Sequence, residues 1–282
     1  MEYMKKGSRA DLHNHTTASD GLLAPAQLIE YAVLKGLAAV AITDHDTVNG
    51  IDEALSAGRM REIVVIPGIE LNTQLESKEI HILGYYINWK SRQLLEILAE
   101  MKNARKNRAR KMIQKLVELY NFDINYDEIL RQARDGVIGR LHIARVLVSK
   151  GMAKDINDAF LRYLDVGCPA YVERYHLAPE EGIRLIKSIG GVAVIAHPGL
   201  LPDSGLLNDI IKIGIDGIEV FHSRHTQEQT YYYANIARLN NLLITGGSDC
   251  HGELINGMPI IGDVSVSMEE VEHLKSRAKK KK

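Results

Sequence analysis

The sequence predicts an α/β protein, a barrel-like sheet of parallel strands alternating with helices, interrupted by an all-helical insertion. Three observations carry that expectation. Short apolar runs, each ending in a polar tip and followed by a helical stretch, recur about seven times, which is the rhythm of strand–helix units. Most of the conspicuous histidines and acids stand at the tips of those runs, where barrels gather their functional groups. Residues 88–177 carry helical periodicity alone, with no β-like run among them.

Residues 8–15 form the first expected strand, ending in Asp11-Leu12-His13-Asn14-His15. Alternate side chains of a strand share a face, so Asp11, His13 and His15 make one row. Such a row suits a divalent cation, and taken alone it suits a pair of hydrogen-bonded core histidines equally well. Pro25 in a first helical turn, Leu28, Ile29, Ala32 and Val33 at helical spacing, and Gly36 as a stop mark the first helix. Residues 37–42 are a continuous apolar run, as in a strand buried on both faces, and it ends in Thr43-Asp44-His45-Asp46. A short helix near 50–59 leads to the apolar run 63–69, which ends at Glu70. A further strand near 80–87 carries His81 close to its start.

The rhythm resumes after residue 178. A helix over 179–188 precedes the run 192–196, which ends at His197-Pro198. A second helix, 205–213, leads to the run 217–221 and His222, and a third, 227–240, leads to the run 242–245. That last run ends in Gly246-Gly247-Ser248-Asp249-Cys250-His251, where Asp249 and His251 repeat the period-two row of the first strand. A final helix after Met268 frays into a lysine tail, read as a solvated end. The expected organisation is a barrel domain of residues 1–87 and 178–282 and a helical insertion of residues 88–177. Within the insertion one long helix spans about 91–120 and shorter ones lie near 126–134, 140–150 and 155–165. It should cover the barrel mouth, because the strands that flank it present His81 and His197 there.

Composition narrows the partners. Against 36 Asp plus Glu, 35 Lys plus Arg leave no global charge to attract nucleic acid or a membrane, so any such attraction must be local. Two cysteines are too few for a disulfide framework and fit a reducing compartment. Neither a signal-peptide core nor a run of 18 apolar residues is present, so the expectation is a soluble, cytoplasmic protein with no membrane partner. No protein partner can be identified from the residues.

The strand tips together supply His13, His15, Asp20, His45, Glu70, His81, His197, Asp249 and His251. Unpaired, so many polar groups at one rim would undermine a core. As ligands they mix nitrogen and oxygen and need no thiolate, which suits Mn, Fe or Zn. They are too many for one tetrahedral ion and enough for two or three ions that share a carboxylate.

The order DLHNH, Asp20, TDHD, PGIE, His81, AHP and SDCH closely resembles the polymerase-and-histidinol-phosphatase (PHP) family. The likeness spans the barrel, about two-thirds of the chain. The insertion, entered by HILGYYI and left by YVERYHLAPEE, resembles that of stand-alone PHP phosphoesterases acting on nucleotide 3′,5′-bisphosphates and RNA 5′ ends. The resemblance implies a distorted seven-stranded, TIM-like (β/α)7 barrel and a phosphoesterase that hydrolyses nucleotide phosphate esters by hydroxide generated at its ions. It further implies that His13, His15, Glu70 and Asp249 hold one ion, Glu70 with His81 and His197 a second, and Asp20, His45 and His251 a third. Glu70 would be catalytic as the bridging ligand. Asp11, Asp44 and Glu219 would be the outer partners that fix imidazole tautomers. A histidinol-phosphate-type phosphatase and a non-catalytic, metal-stabilised module of a larger assembly are the alternatives. The insertion argues against the first and the full ligand set against the second.

A phosphate ester also needs cations. Residues 102–115 hold seven basic residues and no acid, mostly a solvated helix face, but Arg105 falls within the apolar stripe. Gly139-Arg140-Leu141-His142 opens a helix, where backbone N–H groups favour anions. His222-Ser223-Arg224-His225 follows a barrel strand directly. Arg140, Arg224, His225 and Arg105 are therefore the expected phosphate contacts, and His222 the group expected to bind substrate or give a proton to the leaving oxygen.

Overall fold

The structure, a computed structural model, describes residues 8–76, 78–132, 139–173, 175–203 and 205–279. The end of the helix expected near 126–134, most of the lysine tail and the first seven residues lie outside them.

Along the chain, β1 (Arg9–Asp11), α1 (Pro25–Leu34), β2 (Ala39–Ile42), α2 (Ile51–Arg61), β3 (Val64–Leu75) and β4 (Lys78–Tyr85) come first. The helices α3 (Arg92–Tyr120), α4 (Tyr126–Gln132), α5 (Arg140–Ser149) and α6 (Ile156–Ala159) follow, α6 running on into a π-helical turn over Phe160–Leu164. Next are α7 (Pro179–Ser188), β5 (Val192–Ile195), α8 (Gly205–Ile213), β6 (Gly217–His222), α9 (Gln227–Leu239) and β7 (Leu243–Gly247). A small hairpin, β8 (Leu254–Ile255) with β9 (Met258–Pro259), precedes β10 (Val266–Ser267) and α10 (Met268–Lys279).

Local chemistry explains the helix starts that frame the barrel. Pro25 and Pro179 occupy first turns, where a missing N–H costs nothing. Gln27 Oε1 accepts from Ala24 N (3.0 Å), and Glu181 Oε2 accepts from Ala178 N (2.9 Å). The strands β2 and β5 are buried at every position, as their unbroken apolar runs require.

The sheet order is β10-β1-β2-β3-β4-β5-β6-β7. The strands β1, β2 and β3 pair in parallel, as do β5, β6 and β7. β4 is reversed, antiparallel to both β3 and β5, and the short β10 is antiparallel to β1. The expectation of parallel strands throughout is corrected here, and the reason is the link between β3 and β4. It is only two residues long, whereas a parallel crossover needs a dozen or more. The reversal places the start of β4, with His81, at the rim where its neighbours end. Backbone bonds Leu12 N to Gly246 O (3.1 Å) and Asp249 N to His13 O (3.0 Å) bring β7 back onto the continuation of β1 and close the ring. β1 is shorter than expected. His13 and His15 lie on an extended segment beyond it, pinned by the bridge of Asn14 to Cys250.

The chain divides into two compact units, one of residues up to Leu95 together with Leu177 onward, the other of Glu96–His176. In the first, Leu12, Ala39, Ala41, Ile66, Leu83 and Val194 from successive strands pack in one buried cluster with Val271 and Leu274 of α10. In the second, Met112 and Leu116 of α3, Ile129 of α4, Ile143 and Leu147 of α5 and Leu164 form a separate core. Among the described residues no helix is long and apolar enough to cross a membrane.

Candidate metal centre

The rim formed by the strand ends is lined by imidazoles and carboxylates that fit one another closely. Glu70, buried on β3, is the middle of the set. Its Oε1 lies 2.9 Å from His81 Nδ1 and 3.1 Å from His197 Nε2. Its Oε2 lies 3.2 Å from both His13 Nε2 and His15 Nε2, and 3.1 Å from His45 Nδ1. Asp249 Oδ1 faces the same two rings, 3.4 Å from His13 Nε2 and 3.1 Å from His15 Nε2. Asp20 stands on the outer side, 3.6 Å from His251 Nε2, 3.7 Å from His15 Nδ1 and 3.9 Å from His45 Nε2. All nine groups read from the strand tips are thus brought to one place.

Several of these atoms have no hydrogen bond. Buried His13 Nε2, both nitrogens of His15, His45 Nδ1 and Glu70 Oε2 are without a partner of hydrogen-bonding geometry. Buried donors and acceptors left so cost free energy, whereas cations seated among them would give them partners. Among the described residues, four groups of donor atoms converge closely enough to hold ions: His15, Asp20, His45 and His251; His13, His222 and Asp249; His13, His15 and Glu70; and His45, Glu70 and His81. The donor set is nitrogen and oxygen, so the residues present fit a borderline or hard divalent metal.

Electrostatics agrees with that fit. Burial penalises the Glu70 carboxylate, but His45, His13 and His81 outweigh it and hold its pKa well below the ordinary value. Asp249 is likewise held low against burial by His13, His15 and His222, and Asp20 by His251, His45 and His15. Burial pushes the ring of His45 down to about 4, so it is neutral and ready to ligate.

Two of the rim residues also carry backbone strain. His197 has φ 26° and Asp249 φ 55°, left-handed conformations that a non-glycine residue adopts at a cost. At Gly247 the fit is tight in another way, since a Cβ would overlap the backbone N and Cβ of His13. Only glycine lets β7 approach His13 so closely.

The outer acids divide into two kinds. Glu219 meets an imidazole as expected, with His13 Nδ1 donating to its Oε1 (2.9 Å), while its Oε2 accepts from His197 N (2.7 Å). Asp11 and Asp44 do not touch a ring nitrogen; they hold loops. Asp11 accepts from His13 N (3.2 Å), Ser248 N (3.0 Å), Ser248 Oγ (2.6 Å) and Gly262 N (2.8 Å). Asp44 accepts from Thr16 N (2.7 Å), Thr16 Oγ1 (2.8 Å) and Ser19 Oγ (2.6 Å), and so fixes the loop that carries Asp20. A residue the sequence did not single out, Thr43, joins them, its Oγ1 accepting from Asn14 N (2.9 Å) between the two histidines. The signal was its position at the tip of the second apolar run.

The expected substrate groups fall in different settings. His222 is buried, with Nε2 3.4 Å from Asp249 Oδ2 and Nδ1 accepting from Arg224 N (3.2 Å). Arg224 is exposed on the rim loop. His225 spends both nitrogens on backbone, Nδ1 donating to Val220 O (3.0 Å) and Nε2 accepting from Gly199 N (3.1 Å). In the helical unit Arg140 bonds Leu164 O and Asp165 Oδ1, each at 3.3 Å, and lies over the ring of Phe160. His142 Nδ1 accepts from Gly139 N (3.1 Å) and caps α5, and Arg105 is half-buried on α3.

The chain is similar to known proteins. The PHP domain family model matches residues 11–174. A 5′-3′ exoribonuclease of Haemophilus influenzae is 36% identical over 246 residues, 86% of this chain and 89% of that protein. A 3′,5′-nucleoside bisphosphate phosphatase of Chromobacterium violaceum is 34% identical over 248 residues, 86% of each chain. Among solved structures, one described as a metal-dependent phosphoesterase of Bifidobacterium adolescentis superposes with a TM-score of 0.77 at 32% identity, covering 95% of this chain and 96% of that one. Matched over more than half its length and folded into a barrel with this rim, the chain belongs to the PHP domain family and is a metal-dependent phosphoesterase.

Proposed function

We propose that the chain hydrolyses nucleotide phosphate esters, a 3′,5′-bisphosphate or the 5′ end of a short oligonucleotide, with two or three ions of Mn, Fe or Zn. The observation that carries this reading is the division of Glu70, whose Oε1 faces His81 and His197 while Oε2 faces His13, His15 and His45. One carboxylate shared in that way would join two ions. His13, His15 and Asp249 would complete the first, His81 and His197 the second, and Asp20, His45 and His251 would hold a third. When bound, such ions neutralise charge on phosphate oxygens and bring the pKa of water near neutrality.

The protein's own groups then have separable tasks. Because His222 Nδ1 accepts from Arg224 N, a neutral ring carries its proton on Nε2, the nitrogen turned toward Asp249. That proton is available to a leaving oxygen. Arg224, exposed beside it, is the cation we assign to a substrate phosphate. Within the helical unit, Arg140 and Arg105 are the further cations we assign to phosphate, and Arg140 would have to exchange Asp165 for it. The names of the two relatives support the nucleotide substrate class. Free Cys168 and Cys250 support work in a reducing, cytoplasmic setting.

The deciding assay is phosphate release from adenosine 3′,5′-bisphosphate by purified protein with Mn²⁺. Glu70→Gln should lower kcat/KM by roughly 10³-fold or more, since several kcal/mol of charge stabilisation depend on the ions it would join. Full turnover in that variant would rule out a shared carboxylate. Arg224→Ala should raise KM about tenfold or more on nucleotides, and an unchanged KM would remove it from the site. Turnover of histidinol phosphate with none of any nucleotide would refute the substrate class.

A further inference from the structure

His197 heads a tight turn, residues 197–200, with φ 26° and ψ 59° at the histidine itself. A conformation of that kind persists only where its surroundings hold it. Two grips are visible. On the upstream side His197 N donates to Glu219 Oε2 (2.7 Å). On the downstream side Gly199 is held by both of its backbone groups: its N–H donates to His225 Nε2 (3.1 Å), and its carbonyl accepts from Gln229 Nε2 (3.4 Å).

The second grip is built with close tolerances. A Cβ at Gly199 would lie 2.6 Å from His225 Cδ2, so the imidazole lies directly against the turn and only glycine fits beneath it. The ring's tautomer is fixed from its other side, where Nδ1 donates to Val220 O (3.0 Å) and leaves the Nε2 lone pair for Gly199. Gln229 is itself anchored in the first turn of α9, with Thr226 N donating to its Oε1 (2.9 Å) and its own N donating to Thr226 Oγ1 (3.2 Å). The start of α9 thereby grasps the turn that presents His197.

We infer that His225 is a positioning residue for His197, holding its turn through Gly199, and is not a phosphate contact. Both ring nitrogens are used by the backbone, so no donor is left over for an anion. The inference rests on His197 being a metal ligand. Outer groups that orient a ligand change metal affinity by about 10–100-fold when removed.

Binding of Mn²⁺ alone, followed by calorimetry on metal-free protein, tests this without relying on turnover. His225→Phe keeps a ring and loses both bonds; it should weaken one class of ion by about 10–100-fold while KM for adenosine 3′,5′-bisphosphate at saturating Mn²⁺ stays as in wild type. His225→Gln, which restores an acceptor near Nε2, should recover most of that affinity. Gly199→Ala, which disturbs the same contact from the opposite side, should weaken the same class and covers the case in which His225→Phe does not fold. A raised KM with unchanged Mn²⁺ binding in these variants would overturn the inference and return His225 to the phosphate. His197→Ala separates the two levels. If it binds Mn²⁺ like wild type, His197 is no ligand and both readings fall; if it loses one class and the His225 and Gly199 variants lose none, the positioning role alone falls.

Discussion

At the scale of single residues, the rim is a competition between protons and cations. In the metal-free protein burial works against the imidazolium forms of His15 and His81, but Asp249 and Glu70 outweigh it and lift His15 to about 9, while Glu70 and Glu79 lift His81 to about 10. Both rings are therefore protonated at neutral pH until an ion replaces the protons, and uptake must release them. Affinity for Mn²⁺ should rise with pH between about 6 and 8, and calorimetry in buffers of different ionisation enthalpy should detect the protons. Binding that is independent of pH and buffer would contradict this. The sign for stability is the reverse. Folded values above the ordinary 6.5 mean that these two rings stabilise the metal-free fold fully below that pH. That contribution is lost progressively as pH climbs from 6.5 through about 9 to 10, so the Tm of chelated protein should fall across that whole range. Donor identity was legible in the sequence because histidines at the tips of apolar runs have few other uses. What each donor bonds was not. Asp11, Asp44 and Glu219 are all acids at strand tips, yet only Glu219 meets a ring, because a carboxylate binds whatever N–H the loops bring within reach.

At the scale of elements, the reversal of β4 and the approach of β7 to β1 decide whether the donors meet. The strands β1–β7 and most helices were legible as runs and periodicities, whereas the two-residue strands β8–β10 were not; direction is not encoded in composition, since a buried strand is apolar either way. The length of the link between β3 and β4 is the clue that carries it, and His81 near a strand start agrees with it. The insertion's helices were legible for the simpler reason that helical spacing is long and repetitive, as in the 29 residues of α3. The closure between β7 and β1 is testable through Gly247. Gly247→Ala introduces a Cβ into the space of His13 and should cost about 1–3 kcal/mol in denaturant unfolding, together with weaker metal binding. An alanine accepted at wild-type stability and affinity would show that the two strands have room to part.

At the scale of the molecule, the rim is a set of unsatisfied polar groups inserted into an otherwise apolar unit, with a second unit carrying its own core. Ions that bind only the folded rim should stabilise it by mass action, about 2.7 kcal/mol at a concentration a hundredfold above Kd. Removing them with a chelator should lower Tm by several degrees, and restoring Mn²⁺ should raise it in proportion to the logarithm of its concentration. A Tm indifferent to chelation would mean that the orphaned atoms tolerate being alone. The Asp11 carboxylate, which binds the His13 backbone and reaches Ser248 237 positions further along the sequence, has a consequence for biosynthesis. The earliest donors to leave the ribosome wait for nearly the last, and Gly262, also held by Asp11, comes later still. An emerging chain can offer the His13–His15 row but not the finished pocket, so selection of the correct ion must wait until the Ser248–His251 and Gly262 segments have joined it.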